Sequence, residues 1–157
     1  MLFPEPLAWI AAAACIQLRL LCNLMDGMVA IEGNRASAVG VLYNEFPDRV
    51  ADSMLLVALG YAAEMGWLGW LCALLAALTA YIRLFGASVG QAQDFGGLLS
   101  KPKRMALLTV TLIAAAIEHR TNGTQHVLGV GLIIMATGTA FTCVSRTRKI
   151  VQSMRGI

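Results

Sequence analysis

Asn23 and Asp26 stand three residues apart, and Asp48 and Asp52 four apart, in a chain with few other acids. These spacings put each pair on one face of a helix. The stretch from Cys22 to Asp52 holds five of the nine acidic residues, although its surroundings are almost entirely Leu, Ala, Val, Ile and Met. Three carboxylates and an amide oxygen at one depth repel one another unless a cation sits among them, and hard oxygen donors suit Mg²⁺, Mn²⁺ or Ca²⁺. Such an ion can in turn hold a diphosphate. Gly27, directly after Asp26, and Gly40 allow a ligand to approach the backbone closely. A second reading stands beside this one, in which the acids form a solvated helix-end cluster balanced by Arg35 and Arg49.

The elements that must position these residues follow from composition. Of 157 residues, 58% are hydrophobic and 13% charged, with a mean hydropathy of +0.70, so long segments belong in lipid rather than water. Backbone polar groups in a bilayer must be satisfied within a helix or a closed barrel, and the apolar runs are continuous where barrel strands would alternate. The expected fold class is all-α, a polytopic transmembrane helical bundle forming one membrane-embedded domain over residues 1–157. A crossing takes about 20 residues. Leu7 to Met25, Gly66 to Phe85 and Val127 to Val144 meet that length; Val50 to Ala63 and Met105 to Ile117 do so with their polar flanks, giving about five spans. Breaks are expected at Gly33 to Pro47, Glu64 to Gly66, Gly86 to Pro102 and Glu118 to Gln125. The opening MLFPEP lacks the basic residues of a cleavable signal peptide.

Charge sets the orientation. With the loops at 26–49 and 86–104 and the C-terminal tail in the cytoplasm, nearly all Lys and Arg lie inside, including Arg35, Arg49, Arg83, Lys101, Lys103, Arg104 and Arg146. Only Arg120 lies outside, and Arg19 is within the first span near its cytoplasmic end. The net charge of +3 is a topology signal, and nucleic-acid binding is not expected. Cys15, Cys22, Cys72 and Cys143 lack ligand spacing and read as small core residues. Trp67 and Trp70 read as interface anchors, His119 and His126 as solvated outer-loop residues, and Gly129, Gly131 and Gly138 as sites of close helix packing.

The run Asn23-x2-Asp26-Gly27-x2-Ala30-Ile31, eight residues, Gly40, seven residues, Asp48-x3-Asp52 resembles the pattern of the CDP-alcohol phosphatidyltransferases. That pattern reads Asp-x2-Asp-Gly-x2-Ala-Arg, about eight residues, then Gly-x3-Asp-x3-Asp. Asn23 stands in place of the first aspartate and Ile31 in place of the arginine, with Arg35 nearby. Four extra residues precede Asp48, which makes Asn44 and Glu45 secondary candidates. The segment SKPKRM, Ser100 to Met105, is similar to the family's Gly-Lys-x-Lys-Thr element. Members usually have six helices, and the opening helix here aligns with their second.

The resemblance implies an enzyme that moves a phosphatidyl-type group from a CDP-linked lipid to a small alcohol in phospholipid biosynthesis, releasing CMP. It implies that Asn23, Asp26, Asp48 and Asp52 hold Mg²⁺ or Mn²⁺, with Asp52 also the general base. Gly27, Ala30 and Gly40 would line the nucleotide, and Arg83, Lys101 and Lys103 would reach phosphates. The implied partners are the CDP-lipid donor, the alcohol acceptor, the bilayer and a second copy in a homodimer, with the site facing the cytoplasm of a bacterial inner membrane. Two rivals remain open: a membrane cation transporter using the same acids, and a non-catalytic bundle subunit of the same fold. Spans three and five offer only Thr79, Tyr81, Thr137, Thr139 and Thr142 as a polar path outward, which favours a one-sided pocket.

Overall fold

The structure, a computed structural model, describes residues 5–32, 38–91 and 96–156, with the side chains of residues 5, 30–32, 38 and 41 outside the description. The elements are α1 (Glu5–Glu32), α2 (Ala38–Ala62), α3 (Gly66–Ser88), α4 (Lys101–Asn122) and α5 (His126–Met154), with no strand among the described residues. Each expected span falls within one helix, save that α2 ends at Ala62, one residue short of the expected Ala63. Pro6–Val29, Gly66–Ser88 and His126–Met154 are long and apolar enough to cross a membrane by themselves. The more charged α2 and α4 have 25 and 22 residues, about 38 and 33 Å at 1.5 Å per residue, which also suffices for a crossing.

The first expected break is too wide. The chain is already helical at Ala38, so Pro47 lies inside α2 rather than in a loop. A proline there removes one helix hydrogen bond and crowds the carbonyl four residues back, at about 3 kcal/mol. Charge pairs brace that turn. Glu45 accepts hydrogen bonds from Nε of Arg49, one turn on, at 2.9 Å, and from Nη2 of Arg83 on α3 at 2.7 Å. The break at Glu64 to Gly66 lies where expected, whereas α3 continues past Gly86 to Ser88 and α4 past Glu118 to Asn122, which narrows the other two. Pro102 occupies the first turn of α4, where a missing N–H costs nothing, and Gly123 ends that helix in the left-handed conformation with φ 68°.

α2 packs on α3, α1 on α4, and α5 on both α3 and α4. In lipid, helices gain little from burying apolar surface against each other, so close backbone approach must supply the attraction. At the α2–α3 crossing a Cβ on Gly60 would lie 2.6 Å from Gly69 Cα, so these two positions admit no side chain. Gly131 of α5 sits against Thr111 of α4, the close helix packing expected of it, whereas Gly138 meets Leu99 in the segment before α4. The core between the helices is formed by Ile16, Leu56, Leu68, Met105, Leu108, Leu128, Leu132 and Met135. Gln17 also donates across the α1–α4 contact to the Thr109 hydroxyl at 2.7 Å.

At the end of the bundle that carries the α2–α3 turn, Trp67 and Trp70 are exposed, consistent with interface anchors. His119 is not a loop residue: it lies in the last turn of α4, half-buried, with its ring edge-on to Trp9 at 5.6 Å. Glu118 closes the turn into α5 by accepting from the Thr124 hydroxyl at 2.6 Å and from the amides of His126 at 3.1 Å and Val127 at 2.9 Å. The Thr124 bond first, and the Val127 amide next, hold this carboxyl below its ordinary range.

Candidate functional site

At the opposite end of the bundle Arg19 and Asn23 lie one turn apart on α1, Asp48 and Asp52 one turn apart on α2, and Lys101 and Arg104 three residues apart on α4. The three faces converge. Asn23 donates its side-chain N–H to Oδ1 of Asp48 at 2.8 Å. Nη2 of Arg19 reaches the same oxygen, the Asp48 backbone carbonyl at 2.7 Å, and Oδ1 of Asp52 at 2.9 Å. Lys101 pairs with Oδ2 of Asp48, and Arg104 stands 3.6 Å from Oδ2 of Asp52. Every carboxylate oxygen of Asp48 and Asp52 therefore faces a cation from another helix.

Burial makes the arrangement costly to break. Asp52 and Arg104 are each 1% exposed, whereas the side chains of Arg19 and Lys101 remain about a quarter exposed, at 23% and 25%. Nε, Nη1 and Nη2 of Arg104 and Oδ2 of Asp52 have no hydrogen-bond partner among the described residues. Buried polar groups are normally satisfied, and natural chains leave such exceptions mainly at functional positions.

Beside the cluster, Glu45, Arg49, Thr79, Arg83, Ser100, Lys101 and Arg146 line a cavity of about 290 Å³. Four basic side chains face one acid there. Arg146 is fixed by its own bonds, from Nη1 to the Thr79 carbonyl at 3.0 Å and from Nη2 to the Gly96 carbonyl at 2.6 Å, which tie α5 to α3 and to the segment before α4. On the far side of Arg49 an apolar groove of about 460 Å³ runs along α2 past Val50, Met54 and Val57 to Trp70.

Asn23, Asp48, Asp52 and Lys101 are thus brought together, with Arg83 in the adjoining cavity. Asp26 lies one turn beyond Asn23 and is exposed. A Cβ at Gly27 would meet nothing within 4 Å, so protein packing does not require glycine there. Gly40 is exposed on α2, as is Asn44. Lys103 points elsewhere, donating to the Gly97 carbonyl at 3.0 Å. The Ala30 side chain and all of Arg35 lie outside the described residues. Arg19, Arg104 and Arg146 are central here but read from the sequence as orientation signals. A cation inside the otherwise apolar first span was the available sign that Arg19 needed an intramembrane partner.

The donor chemistry fits a hard divalent ion: Asp26, Asp48 and Asp52 supply carboxylates and Asn23 an amide oxygen. The side-chain placement does not gather them around one point. Among the described residues no three His, Cys, Asp or Glu side chains stand close enough to share an ion. Holding one would require Asn23 to turn its oxygen inward and the cation between Asp48 and Asp52 to yield.

Compared with curated proteins, the chain has no significant match. The sequence profile described as CDP-alcohol phosphatidyltransferase matches residues 1–144, a stretch that includes the converging faces of α1, α2 and α4 together with most of α5. This integral membrane bundle, which joins the carboxylates of α2 to cations of α1 and α4, belongs to the CDP-alcohol phosphatidyltransferase family.

Proposed function

We propose that the chain transfers a phosphatidyl-type group from a CDP-linked lipid to a small alcohol at the α1–α2–α4 cluster, releasing CMP toward the cytoplasm. Its family is one of membrane transferases that take such a group from a CDP-alcohol in phospholipid synthesis. The observation supporting a lipid donor is the meeting of two surfaces at Arg49, which lines both the basic cavity and the apolar groove. A molecule with anionic phosphates and a hydrocarbon tail satisfies both surfaces at once.

In this reading Arg83 and Lys101 hold phosphate oxygens, and Gly27, Ala30 and Gly40 flank the nucleotide. Lys103 stays with its loop. Asp52 accepts the proton of the acceptor hydroxyl on Oδ1, the oxygen facing α1, while Arg104 keeps Oδ2 in place. The acceptor oxygen bonds to the lipid-bearing phosphorus, the bond to CMP breaks, and CMP leaves with its electron pair. A divalent Mg²⁺ or Mn²⁺, held by Asp26, Asp48 and Asp52 with the Asn23 amide oxygen, neutralises the donor diphosphate when bound. A homodimer belongs to the same proposal. With four basic groups on the cavity wall, the acceptor class favoured is a phosphorylated alcohol.

The test incubates purified protein with CDP-diacylglycerol, Mn²⁺ or Mg²⁺ and a panel comprising glycerol phosphate, inositol phosphate and serine, following CMP. Acceptor-dependent release, fastest with a phosphorylated alcohol, is expected. Absence of release with every alcohol and both metals would overturn the assignment.

A further inference from the structure

We propose that Arg19 is a resident counter-ion of the α2 carboxylates, occupying the position a divalent cation must take, so that the ion enters only by displacing it. The inference rests on the reading that Asp48 and Asp52 are metal ligands. One guanidinium nitrogen of Arg19 touches both carboxylates and the Asp48 carbonyl, which fills the space between the two side chains with positive charge.

The remaining oxygens are occupied unequally. Arg104 is 1% exposed and enclosed by the bundle, so it is a permanent neighbour of Asp52. Lys101 sits on the outward oxygen of Asp48 alone and can withdraw along its flexible stem without opening the space between the acids. Arg19 both bridges the two acids and retains solvent access, at 23%. Among the described residues it is the one cation whose departure creates a site for an ion between them.

Charge count supports the same conclusion. Arg19, Lys101 and Arg104 set three positive charges against the two of Asp48 and Asp52, and Asn23 contributes no charge. With Asp26 counted in both cases, the group sums to zero while Arg19 is in place and to minus one once it has left, so a divalent ion is attracted only when Arg19 withdraws. Arg19 is thus a positioning residue. It holds Asp48 and Asp52 in register while the site is empty of metal and raises the metal concentration the site demands.

The test measures Mn²⁺ binding to purified protein in detergent by the loss of the free-ion paramagnetic resonance signal, for wild type, Arg19→Met, Arg19→Lys and Asp48→Asn. Arg19→Met should bind Mn²⁺ at least about tenfold more tightly than wild type, the scale of removing one like charge a few ångströms away in a partly solvated site. Arg19→Lys, which keeps the charge but carries it as a compact, strongly hydrated ammonium on a shorter stem, should fall between them. Should Arg19→Met fail to fold, Arg19→Lys decides: affinity equal to wild type overturns the proposal. Equal affinity across the Arg19 series, with binding lost in Asp48→Asn, overturns the counter-ion role and leaves the metal reading intact. No Mn²⁺ binding by any of the proteins overturns both.

Discussion

At one end of the bundle, Gly60 and Gly69 bring the α2 and α3 backbones together, and Glu118 satisfies the first amides of α5. At the opposite end the bundle encloses the side chains of Asp48, Asp52, Arg104 and Arg146, and the Arg104 guanidinium is left with no hydrogen bond among the described residues. One end is packed for cohesion, and the other holds charges that a more stable bundle would replace with leucine. Replacing a buried ion pair by well-packed apolar residues is often neutral or stabilising, so retention of this one points to chemistry rather than to stability.

Substitutions at the two ends should therefore separate stability from activity. The largest loss of stability is expected for Arg104→Met, which leaves the Asp52 carboxylate buried with Arg19 as its remaining partner; equilibrium unfolding in detergent should register about 3–5 kcal/mol. Gly60→Val forces the α2 and α3 backbones apart and should cost about 1–3 kcal/mol in the same measurement, while the folded fraction releases CMP at the wild-type rate. If Gly60→Val lowered the rate of the folded protein instead, the two ends would not be separable.

A smaller and more specific effect is expected of Lys101→Met. Losing one charge-assisted contact to a phosphate should raise the KM for a phosphorylated acceptor by about tenfold and leave the melting temperature within a few degrees of wild type. The smallest effect belongs to Glu118→Ala, a slight fall in melting temperature with unchanged CMP release. Because the folded-state carboxyl lies below its ordinary range, the cap stabilises the protein above the unfolded value of about 4.3 and is lost as pH falls through the lower folded value. Wild type and Glu118→Ala should therefore converge in melting temperature at acid pH. A gap that widens on acidification would contradict the assignment of the cap.

The spans were legible in sequence wherever the apolar run was continuous, as in α1, α3 and α5. The start of α2 was not, because Pro47 among Asn44, Glu45 and Asp48 carries every local sign of a loop, and the pairing of Glu45 with Arg83 on another helix is a tertiary fact. The acids of the site stood out by spacing alone. Their partners did not, because periodicity says which residues share a face and not which helix lies opposite. Arg19 and Asn23 share a face of α1, as Lys101 and Arg104 do of α4, yet only the α1–α4 contact turns these into a ring around Asp48 and Asp52. The basic cavity was anticipated in character through Arg83 and Lys101, whereas Arg146 entered it from the last helix, far along the chain.

The most direct measurement compares acceptor-dependent CMP release from CDP-diacylglycerol by wild type and Asp52→Asn, each confirmed as folded by its melting temperature. The account predicts that release falls by at least about 100-fold in Asp52→Asn, the lower end of what a positioned general base contributes. Release by folded Asp52→Asn at the wild-type rate would contradict it.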